Sequence, residues 1–149
     1  MPSQTRTHLL TRWGFTCTCA LCSLPTPEKR ASDTRRVLLA RAEDKILALA
    51  QSYRLADAIA LTHESIDMIV DEDIYPMLTD EYAMLAMLYL EAGERENAER
   101  YGRLAWQLLA DLGFLGVGEE RPVFSLEKLL GNMGRLGGEG KAGLWKRKA

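Results

Sequence analysis

Apolar residues recur at intervals of three and four along residues 33–113, which is the period of amphipathic helices. The first such stripe favours a long helix that starts at Ser32 or Asp33. Three more helices are predicted after it, with Pro76 between the second and third and with Gly93 and Gly113 at later ends. The inward positions of the four helices are Leu38, Ala42, Ile46, Leu49 and Tyr53; Ile59, Thr62, Ile66 and Ile69; Tyr82, Leu85, Ala86 and Tyr89; and Ala98, Tyr101, Ala105, Leu108 and Leu112. No segment alternates with period two, so the sequence predicts an all-α fold.

Two helix pairs within this body repeat a common pattern. Ala58, Ser65 and Met68 stand forty residues before Ala98, Ala105 and Leu108. The second copy resembles a tetratricopeptide (TPR) repeat, in which large residues of one helix face small residues of its partner, whereas the first copy is much fainter and degenerate. Gly102 departs from that motif, which usually has an aromatic residue there. The body is therefore predicted to consist of TPR-like antiparallel helix pairs.

The flanking segments have a different composition. Residues 1–24 hold a short helical segment, "TRTHLLTR", and a cysteine cluster, and residues 25–32, with Pro25 and Pro27, favour a linker. Residues 114–130 are expected to be irregular, with one short helix from Ser125 to Leu130. Residues 131–149 contain six glycines and five basic residues, which predicts a disordered tail.

Charge is distributed unevenly along the 149 residues. The net charge is −2, but residues 32–112 carry sixteen acidic and eight basic side chains. An acidic helical body argues against direct nucleic-acid binding and is suited to a protein partner or a basic peptide. No apolar run reaches the length of a membrane helix and no secretory signal is apparent, so we expect the nucleus or the cytoplasm and no membrane association.

All three cysteines lie in "WGFTCTCALCS", residues 13–23. Cys17, Cys19 and Cys22 form a Cys-x-Cys-x-x-Cys pattern that suits a soft-ligand zinc site better than a disulfide framework. The alternative is three reduced thiols that merely pack. A tetrahedral site needs a fourth ligand, and His8 is the nearest imidazole in the sequence, whereas His63 falls on a later helix.

The order of these segments resembles the end of SET-domain proteins of the SET-and-MYND type, especially fungal members. The resemblance rests on "RTHLLTRWGFTCTCALCSLP", then "EKRASDTRRVLLARAEDKI" and the helix pairs, from about Arg6 to Leu112. It implies that the cysteines are post-SET zinc ligands and that the fourth ligand is a cysteine of the SET core upstream. It also implies that Phe15 packs against the adenine of S-adenosylmethionine, and that Trp13 lines the same wall or the substrate channel.

Two hypotheses of function follow. In the first, the chain is the C-terminal part of a protein-lysine methyltransferase-like protein, whose helices bind a histone or another lysine-containing substrate. No Gly-x-Gly segment, Asn-His-x-Cys stretch or candidate catalytic tyrosine precedes the cysteines, so no catalytic residue is assigned and the chain alone is expected to be inactive. In the second, the chain is a stand-alone TPR-like interaction module, which would complete its metal site internally or need no metal.

Overall fold

The computed structural model of the chain describes residues 3–115 and 122–136, with only the backbone for residues 132–136. Within these ranges every regular element is helical and no strand occurs, as the sequence predicted. The elements are α1 (Ser3–Thr11), α2 (Thr26–Gln51), α3 (Leu55–Asp71), a 3₁₀ helix (Tyr75–Met77), α4 (Leu78–Glu91), α5 (Arg95–Asp111) and α6 (Leu126–Leu136). None of the described helices combines the length and the apolar composition that a bilayer span requires.

The chain divides into two compact units, Met1–Glu43 and Asp44–Ala149. In the first unit, α2 begins at Thr26, so the prediction of a linker over residues 25–32 is wrong. Pro27 does not prevent this helix, because the first N–H groups of a helix have no intrahelical partner and proline lacks only that donor. The backbone N–H of Lys29 already donates to the carbonyl of Pro25, at 3.0 Å. Ser32 and Asp33, predicted as helix starts, therefore lie inside α2.

The start of α1 is fixed by a side chain of α2. Asp33 accepts hydrogen bonds from the backbone N–H of Ser3 at 2.6 Å and from the Ser3 hydroxyl at 2.5 Å. Burial opposes ionisation of this carboxyl, but the two Ser3 hydrogen bonds and nearby Arg6 outweigh it and lower the pKa of Asp33. The carboxylate satisfies a free N–H at the positive end of the α1 dipole, so it acts as a helix cap supplied from a distant residue.

Helices α1 to α5 all end in the same way. A residue with positive φ follows each of them, and the next N–H donates to the carbonyl five residues earlier, which is the hydrogen bond of a Schellman cap. The positive-φ residues are Gly14, Tyr53, Asp73, Gly93 and Gly113. The last four are spaced by twenty residues. In the second unit, one helix and its turn therefore recur every twenty residues, and a pair of helices recurs every forty residues.

Burial in the second unit follows the same period. Ala58 and Ser65 of α3 and Ala98 and Ala105 of α5 are all 0% exposed, as the predicted repeat requires. The inward face of α2 is displaced from the prediction, since Leu39 is buried and Leu38 is 52% exposed. In α4, six consecutive residues from Ala83 to Leu88 are buried, which makes α4 the centre of this unit.

Gly102 of α5 provides the space in which the chain after α5 packs. A Cβ added at this position would lie 3.0 Å from Leu126 Cδ1 and 3.1 Å from Phe124 Cζ. Beside it, Phe124 meets Trp106 edge-to-face at a centroid distance of 5.9 Å. The departure from the TPR pattern at Gly102 therefore has a packing reason.

Helix α6 confirms the predicted short helix and extends it. It continues to Leu136, so the expectation of disorder from residue 131 is wrong for residues 131–136. The rest of the predicted disordered tail, residues 137–149, lies outside the described residues.

Candidate metal site in the cysteine loop

A compact turn between α1 and α2 brings the cysteines together. Residues 15–18 belong to no helix or strand. The chain then folds back, so that the backbone N–H of Ser23 donates to the carbonyl of Cys19 at 2.9 Å. The Ser23 hydroxyl closes the same turn by donating to the carbonyl of Thr18 at 3.1 Å. This turn returns Cys22 towards Cys17 and Cys19.

The three sulfur atoms all lie within 4.8 Å of one another, and no other group of three potential metal ligands occurs among the described residues. A tetrahedral zinc with Zn–S bonds of about 2.3 Å separates its sulfur ligands by about 3.8 Å. The sulfurs therefore need only small movements to bind one ion. All three cysteines are free thiols, and Cys17 and Cys22 are half-buried whereas Cys19 is exposed.

The thiols perturb one another. The pKa of Cys19 is lowered to about 7, first by a hydrogen bond from the backbone of Cys22 and then by the Cys17 and Cys22 thiols. The pKa of Cys22 is raised, mainly because its thiol is hydrogen-bonded to Cys17. A metal ion replaces such shared protons, because it binds thiolates and not thiols.

Arg6 of α1 supplies a positive charge to this cluster. Its Nη2 lies 3.6 Å from the Cys22 sulfur and donates to it, and its charge opposes the rise in the pKa of Cys22. Three thiolates around a divalent ion leave a net negative site. The guanidinium of Arg6, in contact with one of the sulfurs, therefore offsets part of the negative charge of such a site.

An open pocket of about 660 Å³ lies beside the cysteines. Its wall includes Cys17, Cys22, Phe15 and His8, with the half-buried Lys29 and with Ser3, Thr7, Thr11 and Thr16. The Ser3 and Thr11 hydroxyls already donate to Asp33 and to the carbonyl of Thr7. Such a wall offers one aromatic face, several polar side chains and one cation. It is suited to a polar ligand that carries a flat ring.

The residues predicted from the sequence have different positions around this pocket. Phe15 is 56% exposed and lines the pocket next to Cys17. Trp13 is not among the lining residues and is 87% exposed in the turn after α1. His8 lines the pocket but does not belong to the group of sulfur atoms within 4.8 Å, and His63 contacts Tyr89 in the second unit.

Sequence reasoning missed Arg6 and Asp33. Arg6 stands sixteen residues before Cys22, and its place in a short helix just before a thiolate cluster was the only available signal. Asp33 stands thirty residues after Ser3, and no local pattern distinguishes it from other acidic residues of α2.

Comparison of this chain with protein-family models, with curated proteins and with solved structures found no match.

Proposed function

We propose that the chain is the C-terminal part of a protein-lysine methyltransferase-like protein of the SET-and-MYND type, with a structural zinc held by Cys17, Cys19 and Cys22. The observation that carries this proposal is the convergence of the three sulfurs beside a pocket that Phe15 lines. The order of cysteine loop, long helix and helix pairs supports it further.

In this function the zinc is structural, and when bound it ties the loop from Cys17 to Cys22 into one rigid turn. The chain provides three thiolates, and a cysteine of an upstream SET core provides the fourth. Arg6 balances the negative charge of the thiolates through Cys22. Phe15, two residues before the first ligand, is thereby held in a fixed direction, as a residue that packs against the adenine of S-adenosylmethionine must be.

The second unit has the partner-binding role in this proposal. Its helices are proposed to form TPR-like pairs. The twenty-residue spacing of the caps and the equal burial of positions forty residues apart support a repeat of helix pairs, with a period longer than the roughly 34 residues of a TPR. Such an array is suited to hold a lysine-containing substrate protein or another partner. No catalytic residue is assigned to the chain in this proposal.

Metal binding by the purified chain is the first test. We expect one zinc per chain by elemental analysis, and a cobalt-substituted form whose absorption changes when imidazole or a small thiol is added, because one coordination position is open. Zinc-free protein after expression in zinc-supplemented medium, together with no cobalt spectrum, would refute the zinc site. A cobalt absorption spectrum that does not change when imidazole or a thiol is added would mean that the chain supplies all four ligands itself.

The native mass tests the upstream core. An antibody against the second unit should detect, in the source cells, a protein well above the 16.7 kDa of this sequence. A single band at that mass would refute the assignment to a longer methyltransferase-like protein.

A stand-alone interaction module is the second candidate. The regular spacing of the helix caps favours it, because a helical repeat is a binding scaffold that needs no catalytic core. A band at 16.7 kDa with a closed metal site, or with no metal, is the outcome that this candidate requires.

A further inference from the structure

Four partly exposed aromatic side chains of the second unit form a continuous group, here called the tyrosine–histidine cluster: His63, Tyr82, Tyr89 and Tyr101. Tyr89 and Tyr101 are stacked, with centroids 5.5 Å apart and planes at 5°. His63 meets Tyr101 edge-to-face at 5.6 Å, and its Nε2 lies 3.3 Å from the Tyr89 hydroxyl. Tyr82 lies 6.1 Å from Tyr101.

Helices α3, α4 and α5 hold the cluster in place. Tyr82 and Tyr89 are seven residues apart, so they share one face of α4, and the buried residues Leu85 and Ala86 lie between them in sequence. All four rings are half-buried, so each is anchored in the unit and retains surface that a partner can reach. The rings therefore form a rigid aromatic surface at low entropic cost.

A guanidinium of the chain itself already lies beside the cluster, from the residue that precedes Tyr101. The guanidinium carbon of Arg100 lies 5.6 Å from the centroid of Tyr101, within the range of a cation–π contact. Arg100 is exposed and extends from α5 next to that ring.

Helix α3 and the segment that follows it carry charge of the opposite sign to a guanidinium, whereas α5 carries Arg95, Arg100 and Arg103 together with three acidic residues. From Leu55 to Glu94 the sequence has ten acidic residues and no lysine or arginine. Four of the acids, Asp57, Glu64, Asp67 and Asp71, are exposed on α3 at spacings of seven, three and four, which places them along one side of the helix. Asp57 is already ion-paired with Arg54 at 2.7 Å. His63 adjoins this row, because Glu64 follows it and Asp67 lies one helical turn further on.

We propose that the tyrosine–histidine cluster and the adjoining acidic side of α3 form a docking surface for an arginine-rich segment of a partner protein. The proposal rests on the partner-binding role given above to the second unit and names its ligand chemistry. Arginine is favoured over lysine, because a planar guanidinium stacks on tyrosine and is less strongly hydrated than an ammonium. The acidic residues attract the segment electrostatically, and the tyrosine rings bind its guanidinium groups through cation–π contacts.

A direct binding measurement tests this surface. The full chain with its metal bound is titrated into a fluorescein-labelled peptide of alternating arginine and alanine, at low and at physiological salt, with anisotropy as the readout. Peptides with lysine or glutamine in place of arginine are the ligand controls. We expect binding in the order arginine, lysine, glutamine, with the last undetectable, and weaker binding at higher salt.

Five variants locate the site. Tyr101→Leu removes a ring face and should weaken binding about 2- to 30-fold, whereas Tyr101→Phe keeps the ring and should bind like the parent chain. Asp67→Asn should weaken binding, whereas Asp111→Asn should not, although both remove one charge. Asp111 is exposed ten residues from Tyr101 on α5, about 15 Å along the helix. Arg100→Gln should strengthen binding, because it removes the internal competitor for Tyr101.

Three results would overturn the proposal: equal binding of the glutamine peptide, unchanged binding by Tyr101→Leu together with Asp67→Asn, or an equal loss in Asp111→Asn, which would indicate a general charge effect. The circular dichroism spectrum and melting temperature of each variant establish that it is folded. The zinc and native-mass experiments do not involve this surface. Lost peptide binding with an intact zinc site would therefore refute the docking surface and leave the methyltransferase-like assignment standing.

Discussion

Different kinds of interaction stabilise the interiors of the two units of this chain. In the first unit, Leu39 and Ala42 are the only apolar residues that are buried among those described, and polar contacts link the rest: Ser3 to Asp33 and Arg6 to Cys22. In the second unit, α4 is buried along six consecutive residues and small side chains of α3 and α5 pack at 0% exposure. A unit of about forty residues with so little apolar burial has no large hydrophobic core to stabilise it, and the proposed metal would supply that stability, whereas the second unit has a hydrophobic core of its own.

The largest effect that this comparison predicts is in the core of the second unit. Leu85→Ala should lower the free energy of unfolding by about 2–5 kcal/mol, because Leu85 is 0% exposed and its loss leaves a cavity. Leu104→Ala, on α5 at 41% exposure, should change it by less than about 0.5 kcal/mol. Urea denaturation followed by circular dichroism measures both, and equal losses would contradict the assignment of the core to α4.

Packing around Gly102 gives a second prediction for the same unit. Gly102→Leu should destabilise the fold by about 1–3 kcal/mol, because a side chain there collides with Phe124 and Leu126. Gly131→Leu, in the exposed part of α6 where a Cβ meets nothing within 4 Å, should instead stabilise it by about 0.5–1 kcal/mol. The melting temperatures of the two variants measure these effects. Equal destabilisation by Gly102→Leu and Gly131→Leu would argue against close packing at Gly102.

In the first unit the corresponding test is electrostatic. Arg6→Gln should lower zinc affinity about 10- to 100-fold, because the positive charge at the Cys22 sulfur is lost. Arg12→Gln removes an exposed arginine from the turn after α1 and should leave the affinity unchanged. Competition with a chromophoric chelator measures the affinity, and an equal decrease in both variants would mean that only the overall charge matters.

The smallest expected effect is at the cap of α1. Asp33→Asn should destabilise the first unit by about 0.3–1 kcal/mol, since asparagine can still cap the helix but the negative charge at its N-terminus is lost. The pKa of Asp33 is lower in the folded chain than the unfolded value of about 3.9. Its contribution is therefore complete above that pH and disappears as the pH falls through the folded pKa. Amide hydrogen exchange in α1 at several pH values should show this loss in the parent chain, and should show none in the variant.

The helical body could be predicted because its determinants are local in sequence. The periodicity gave the helices, and Gly93 and Gly113 marked two of the ends that the structure has. The start of α2 could not be predicted, because Pro25 and Pro27 suit a linker and the first turn of a helix equally well. The end at Tyr53 was also missed, because a tyrosine with positive φ has no signature of its own and only the cap geometry requires it.

The sequence by itself determined that the chain is helical, that its cysteines lie close enough to share an ion, and that its body repeats every forty residues. These properties depend on the spacing of residues along the chain, which is the same whether or not any tertiary contact forms. Only the tertiary structure decided that Arg6 contacts Cys22, that Asp33 caps α1, that Phe124 packs over Gly102, and that His63 joins Tyr82, Tyr89 and Tyr101. Each of those contacts joins residues between sixteen and thirty-eight positions apart. At such separations the packing of whole helices, and not the local pattern, determines which side chains meet.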